Sequence, residues 1–206
     1  MANEPSGTSR RRFLATFGAS VGSISLAGCL GRGRPRASGN ADRTLYVGAY
    51  HWGFVLLDEA GTEHKQLTLD PGTRIRLIGV NTSAESAIAE LPGDVKAALP
   101  DHESLEMRNE ERIPTPPTRD LHEALEEANA RYPDHSMAVM PSGYNHMQGP
   151  MDSGMMLHPV TLPHDAPRPA AVGLIASERG DYTVTCLTNC GYGHPYMELD
   201  GAFVVP

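Results

Sequence analysis

The chain has 206 residues, with 17 basic against 25 acidic side chains and a formal net charge of −8. From Thr44 onward there are ten basic and twenty-three acidic side chains; no basic stripe remains to neutralise phosphates, which excludes a nucleic-acid role. Lysine is nearly absent (Lys65 and Lys96), and such an acidic, lysine-poor surface suits a high-salt setting that screens its self-repulsion.

Ser9-Arg10-Arg11-Arg12-Phe13-Leu14 resembles the twin-arginine export signal. The apolar, small-residue stretch behind it, Phe13 to Gly28, is short and rich in glycine and serine for a membrane span. It ends in Leu26-Ala27-Gly28-Cys29, which resembles a bacterial lipobox. Residues 1–28 therefore read as a twin-arginine lipoprotein signal peptide, and lipidated Cys29 as the mature N-terminus. An uncleaved tail is the alternative. Residues 29–43, with Gly, Pro, Ser and several arginines, read as a flexible tether, either solvated or lying on anionic lipid headgroups. This places the remaining chain outside the cell, anchored to the outer face of the cytoplasmic membrane.

Strand signals begin at Thr44. Thr44–Leu57 is β-branched and aromatic, and Asp58-Glu59-Ala60-Gly61 reads as a turn. Gln66–Leu69 is a short strand, Asp70-Pro71-Gly72 a turn, and Arg74–Val80 alternates polar and apolar residues as a half-buried strand does. Ala170–Ile175 and Tyr182–Cys186 flank a turn at Glu178–Asp181, and Gly201–Val205 closes the chain. Short strands separated by turn signals predict an all-β sandwich from Thr44 to Pro206.

Between about 82 and 133 the character changes to a helical, acidic insertion. Thr118–Arg131 predicts a helix with Thr118 as N-cap and Leu121, Ala124, Leu125 and Ala128 on its apolar face. Ala84–Glu90 and Asp94–Leu99 are weaker helical pieces, and Ile113–Thr118 is a proline-rich connector.

The chemistry concentrates in Cys186-Leu-Thr-Asn-Cys190-Gly-Tyr-Gly-His194-Pro-Tyr-Met197. Thiolate and thioether are soft ligands that favour copper, and imidazole suits it too. Gly191 and Gly193 permit positive φ, so the chain can turn tightly around an ion. With Cys29 assigned to lipid, Cys186 and Cys190 are the remaining cysteines. A disulfide is the plain alternative for an exported pair, but two thiolates on a loop without lysine or arginine favour a cation.

Cys186-x3-Cys190-Gly191-x2-His194-x2-Met197 resembles the motif of the binuclear copper (CuA) domain of cytochrome c oxidase subunit II, shared with nitrous oxide reductase. Leu67–Val80, Ala171–Cys186 and Tyr50–Phe54 resemble family segments as well, so the resemblance spans residues 44–82 and 134–206. It implies a cupredoxin-like Greek-key β-sandwich carrying two copper ions bridged by Cys186 and Cys190. His194 would ligate one copper, Met197 would be a weak axial ligand and the Thr188 backbone carbonyl another weak donor. Thr188 stands where the family has Glu or Gln, whose carboxylate in many members reaches a magnesium at the contact with subunit I. Asp134-His135-Ser136 resembles the segment of the first histidine ligand, which implies His135; His146 is the rival, with His158 behind it. Tyr50 and Trp52 would mark electron entry. Such a chain is an electron-transfer subunit without a complete active site, working between a donor (a cytochrome or a small copper protein) and a membrane oxidase subunit.

His51, His64, His102, His122 and His164 read as surface residues, standing singly among polar or acidic neighbours. Met137, Met140, Met147, Met151, Met155 and Met156, with His135, His146 and His158, form a methionine–histidine cluster. Thioethers bind Cu(I), so a copper chaperone or storage lipoprotein is a second reading; adaptable packing is the bland one. A mononuclear blue-copper site built on Cys190, His194, Met197 and one upstream histidine is a third, and it leaves Cys186 without a role.

Overall fold

The computed structural model describes residues 40–144 and 155–206. The signal-peptide and lipidation assignments, Cys29 included, lie outside the described residues, as do His146, Met147 and Met151. Among the described residues no helix is long and apolar enough to cross a membrane.

The first apolar run is a hairpin. β1 (Arg43–Tyr50) and β2 (Gly53–Asp58) pair antiparallel from Leu45↔Asp58 to Tyr50↔Gly53, so His51 and Trp52 form the two-residue turn. Asp42 and Arg43, read as the end of the tether, belong to the fold. Asp42 N–H donates to the Arg74 carbonyl (2.8 Å), and its carboxylate pairs with the Arg74 guanidinium (3.0 Å).

β3 (Leu67–Thr68), β4 (Arg74–Asn81), β5 (His135–Pro141), β6 (Leu157–Leu162), β7 (Ala170–Ile175), β8 (Gly180–Thr185) and β9 (Glu198–Val205) complete the strands. One sheet runs β2-β1-β4-β7 and the other β3-β9-β8-β5-β6. β1 and β4 are parallel, as are β3 and β9; the other neighbours are antiparallel. Between the sheets lies an apolar core to which Val47, Leu56 and Leu77 contribute from one sheet and Met137, Val184 and Phe203 from the other. This is the all-β sandwich that the strand pattern predicts, cupredoxin-like as the resemblance implies, with a helical segment inserted between β4 and β5.

The insertion explains why β1 and β2 are apolar on both faces. Their second face, including Tyr46, Tyr50, Val55 and Leu57, packs in a separate core under the helices. A strand covered on both sides reads as a continuous hydrophobic run and loses its alternation. The helices are α1 (Glu85–Ala89), α2 (Gly93–Ala98), α3 (His102–Asn109), which the sequence pattern left unassigned, and α4 (Leu121–Arg131).

The residue that caps α4 is Asp120, not Thr118. Its carboxylate accepts from the backbone N–H groups of His122 (2.9 Å) and Glu123 (3.4 Å), the donors a helix start leaves unpaired. The predicted apolar face of α4 is correct: Leu121, Ala124, Leu125 and Ala128 are all buried.

Both ends of the insertion meet at one buried side chain. Asn81 Nδ2 donates to the carbonyls of Pro133 (2.8 Å) and Leu162 (3.0 Å), and its Oδ1 accepts from Ser83 N–H (2.9 Å). The insertion thus leaves and rejoins the sandwich at nearly the same place, and β5 begins with His135 just beyond it.

Candidate metal centre

β8 delivers the chain to Cys186, and β9 departs immediately after Met197. Between them the loop is stitched to itself. Cys186 N–H donates to the Met197 carbonyl (3.1 Å), His194 N–H to Gly191 (3.2 Å) and Met197 N–H to His194 (3.1 Å). Gly191 and Gly193 have φ of 82° and 90°, left-handed values that glycine adopts without a Cβ penalty. A 3₁₀ turn over His194–Tyr196 then carries Met197 inward.

These constraints converge the donors. Cys186, Cys190 and Met197 are buried, and both thiols are free. Cys190 Sγ lies 3.3 Å from His194 Nδ1 and 3.6 Å from the Met197 thioether, and Cys186 Sγ lies 3.3 Å from the Thr188 carbonyl oxygen. Donor atoms of Cys186, Cys190 and His194 fall within 4.8 Å of one another.

His135, the first residue of β5, comes to this loop from the other side of the insertion. It is 1 % exposed, and its Nδ1 has no hydrogen-bond partner. The next residue braces the thiols. Ser136 N–H donates to Cys186 Sγ (3.4 Å), and Ser136 Oγ accepts from Leu187 N–H (2.9 Å).

His51 is the correction. It is not a surface histidine; it is 1 % exposed, at the tip of the β1–β2 hairpin, with its ring centroid 5.6 Å from that of His135. Donor atoms of His51, His135 and Cys190 form a second group within 4.8 Å, overlapping the first at Cys190. His51 Nε2 donates to the Tyr192 carbonyl (3.1 Å), and its Nδ1 has no partner. Nothing local signals this, because the pocket is made by strands distant in sequence. The other four fit the surface reading better: His122 and His164 are exposed, and His64 and His102 are half-buried.

Electrostatics follow from crowding. Hydrogen bonding from the Cys190 thiol holds Cys186 far below the usual thiol range, with His135 and the Ser136 N–H adding to it; the same bond and burial push Cys190 up. One sulfur of the pair is therefore ready to act as a thiolate. Burial, with His135 nearby, pushes the His51 imidazole down to about 4, which keeps it neutral.

Two free thiols, orphaned imidazole nitrogens, a thioether and a carbonyl oxygen around one buried spot are a donor set that fits copper. Buried polar atoms without partners are costly, and a metal ion resolves them.

Tyr50 and Trp52 are both buried core aromatics. Tyr50 O–H donates to the Pro100 carbonyl (2.7 Å). Trp52 lies edge-on between His51 (6.1 Å between centroids) and His102 (5.7 Å). It also lines an open cavity of about 630 Å³, whose wall carries Glu103, Glu106, Glu110, Asp120 and Glu126. In the methionine–histidine cluster, Met137, Met140 and Met155 are buried and His158 is exposed. Met137 and Met155 belong to the core between the sheets.

No protein-family model matches the chain, and no curated protein matches it. Among solved structures, it is similar to a chain of a heme-copper terminal oxidase dimer, at 12% identity and a TM-score of 0.39, covering 89% of this chain and 76% of that one. It is also similar to the periplasmic domain of subunit II of cytochrome oxidase (CoxB) of Bradyrhizobium japonicum, at 10% identity and a TM-score of 0.42, covering 82% and 86%.

Proposed function

We propose that this protein is an electron-transfer copper protein of the subunit II type, with Cys186 and Cys190 bridging two copper ions. His135 and His194 serve as the end ligands, and Met197 and the Thr188 carbonyl as weaker donors. The observation that carries this reading is the pair of donor groups overlapping at Cys190, which offers two adjacent metal positions around shared sulfur. Copper held by Cys186 and Cys190 would supply one-electron chemistry, with the charge change spread over two ions.

The chain's own residues account for the rest. Burial of both cysteines and of Met197 excludes water, so little solvent must reorganise when the charge changes. The Ser136 N–H fixes Cys186, and the Met197 carbonyl holds the loop ends together, so the donors stay in place in either redox state. Trp52 lines the acidic cavity and packs edge-on against His51, which supports a role as the entry point for electrons from a donor protein. The glutamates on that cavity suit a donor with a basic docking face.

The acceptor in this reading is a membrane oxidase subunit. The chain is exported and held at the outer face of the cytoplasmic membrane through lipidated Cys29, which keeps it near that partner.

Loading the purified full chain anaerobically with equal amounts of copper(I) and copper(II) tests the reading. The expected result is two coppers per chain and an electron-resonance spectrum with one unpaired electron coupled to both copper nuclei. A single copper with a blue colour, or a colourless protein holding one zinc, would sink it.

A further inference from the structure

The proposed ligand set has two imidazoles, His135 and His194, but the fold brings a third close to them. His51 occupies a hairpin turn, a position that ordinarily faces solvent, yet it is 1 % exposed and points its ring toward His135. Its two nitrogens have different surroundings. Nε2 donates to the carbonyl of Tyr192, which lies inside the ligand loop between Cys190 and His194. That bond places the proton on Nε2 and leaves a lone pair on Nδ1. Nδ1 is buried and has no hydrogen-bond partner. An imidazole oriented by a backbone carbonyl through one nitrogen, with the other bare, is the usual arrangement of a metal-bound histidine.

Donor atoms of His51, His135 and Cys190 lie within 4.8 Å of one another, a group that overlaps Cys186, Cys190 and His194 at Cys190. With Nε2 bound to a carbonyl, Nδ1 is the His51 nitrogen left to serve as a donor there. We infer that His51 is a ligand in its own right, binding through Nδ1 to the metal position shared by His135 and Cys190. The inference rests on the copper reading above and adds a third imidazole to it.

Two consequences follow from ligand chemistry. The two metal positions become unequal, because one has two imidazoles and the other one. Imidazole is a harder donor than thioether or thiolate, so the extra nitrogen favours Cu(II) over Cu(I) at the His51 position and lowers the reduction potential of the centre. His51 also links Trp52, at 6.1 Å, directly to the metal, so the electron entry path ends on a ligand.

The experiment counts imidazoles. The full chain carrying nitrogen-15 histidine is loaded anaerobically with equal amounts of copper(I) and copper(II), and the nitrogens coupled to the unpaired electron are resolved by electron–nuclear double resonance. Three coupled imidazoles are expected in the unaltered protein and two in His51→Phe, with copper(II) bound at least about tenfold more weakly and a higher reduction potential in the variant. Two imidazoles in the unaltered protein would overturn the role of His51 while leaving a two-copper centre standing. Should His51→Phe fail to fold, the count in the unaltered protein still decides. The copper stoichiometry, read on the same sample, reports separately on the two-copper reading; a sample that takes up no copper overturns both.

Discussion

Gly191 lies against Ala128 so closely that a methyl group at residue 191 would stand 2.9 Å from the Ala128 Cβ. Tyr132 Cδ2 is equally near, and a Cβ on Gly193 would meet Leu125 Cδ2 at 2.9 Å. Helix α4 of the insertion is therefore a wall of the ligand loop.

Gly191→Ala combines that contact with a φ of 82° that alanine rarely adopts. The expected cost is about 2–4 kcal/mol from overpacking and left-handed strain together. Thermal unfolding of the metal-free chain measures it, and copper affinity should fall in parallel because Cys190 and His194 lose their spacing. An unchanged melting point would show that α4 can move away.

Asn81→Leu removes the amide that serves Pro133 and Leu162 and leaves a buried carbonyl and a half-buried one without that donor. Each unmet group costs about 1–3 kcal/mol, so a loss of about 2–5 kcal/mol in denaturant unfolding is expected. His135 starts two residues after Pro133, so weaker copper binding should accompany the loss.

The two cysteines should not be equivalent. Cys190 belongs to both donor groups and Cys186 to one. Both Cys190→Ser and Cys186→Ser are expected to abolish the shared electron, because both sulfurs bridge. Cys190→Ser should lose more copper because Cys190 belongs to both donor groups, while Cys186→Ser leaves His51, His135 and Cys190 to hold one. Metal analysis and electron resonance on the two variants distinguish these outcomes; identical copper content in both would contradict the overlap.

A pH dependence follows from Asp134 and His164, whose side chains meet at 2.8 Å. The hydrogen bond to His164 holds Asp134 below the usual carboxylate range, and the same bond raises His164. The aspartate's contribution to stability is complete above about pH 3.9, its unfolded value, and fades as pH falls through the depressed folded value. The histidine's contribution is complete below about pH 6.5 and fades as pH rises through its raised folded value. Stability from the pair thus has a plateau between those limits. His164→Gln should flatten the melting temperature profile on both sides, with the largest effect at low salt because the pair is exposed.

Much of this architecture is legible in the sequence because it is written in local patterns. Arg74-Ile-Arg-Leu alternates outward and inward in β4 as its residues predict, and Leu121, Ala124, Leu125 and Ala128 bury the face that their spacing marks. The ligand loop is legible for the same reason, since Cys186, Cys190, His194 and Met197 lie within one turn of chain. What was lost is non-local. β6 escapes because its apolar positions Leu157, Val160 and Leu162 are irregularly spaced and its partner β5 carries a register shift between Met137 and Val139. The β1–β2 turn escapes because Tyr50, His51 and Trp52 are apolar or aromatic where turns are ordinarily polar; Tyr50 and Trp52 are buried under helices inserted elsewhere in the chain. His51 has no sequence signature at all, since its significance lies in two strands and a loop that meet it only in the folded state.

The clasp at Asn81 has a consequence for how such a chain can change over generations. Because residues 81 and 133 are joined by a single side chain, the segment between them is a closed excursion, and its length costs the sandwich little. The exposed connector 114–119 could be lengthened or exchanged there without disturbing the strands on either side. The helices are exempt from that freedom, since Ala87, Val95 and Leu105 cover the second face of β1 and β2 and α4 must keep the shape that Gly191 and Gly193 fit. Natural variation in relatives of this chain should therefore be widest in the connectors between residue 82 and α4, and narrowest at the buried positions of the helices.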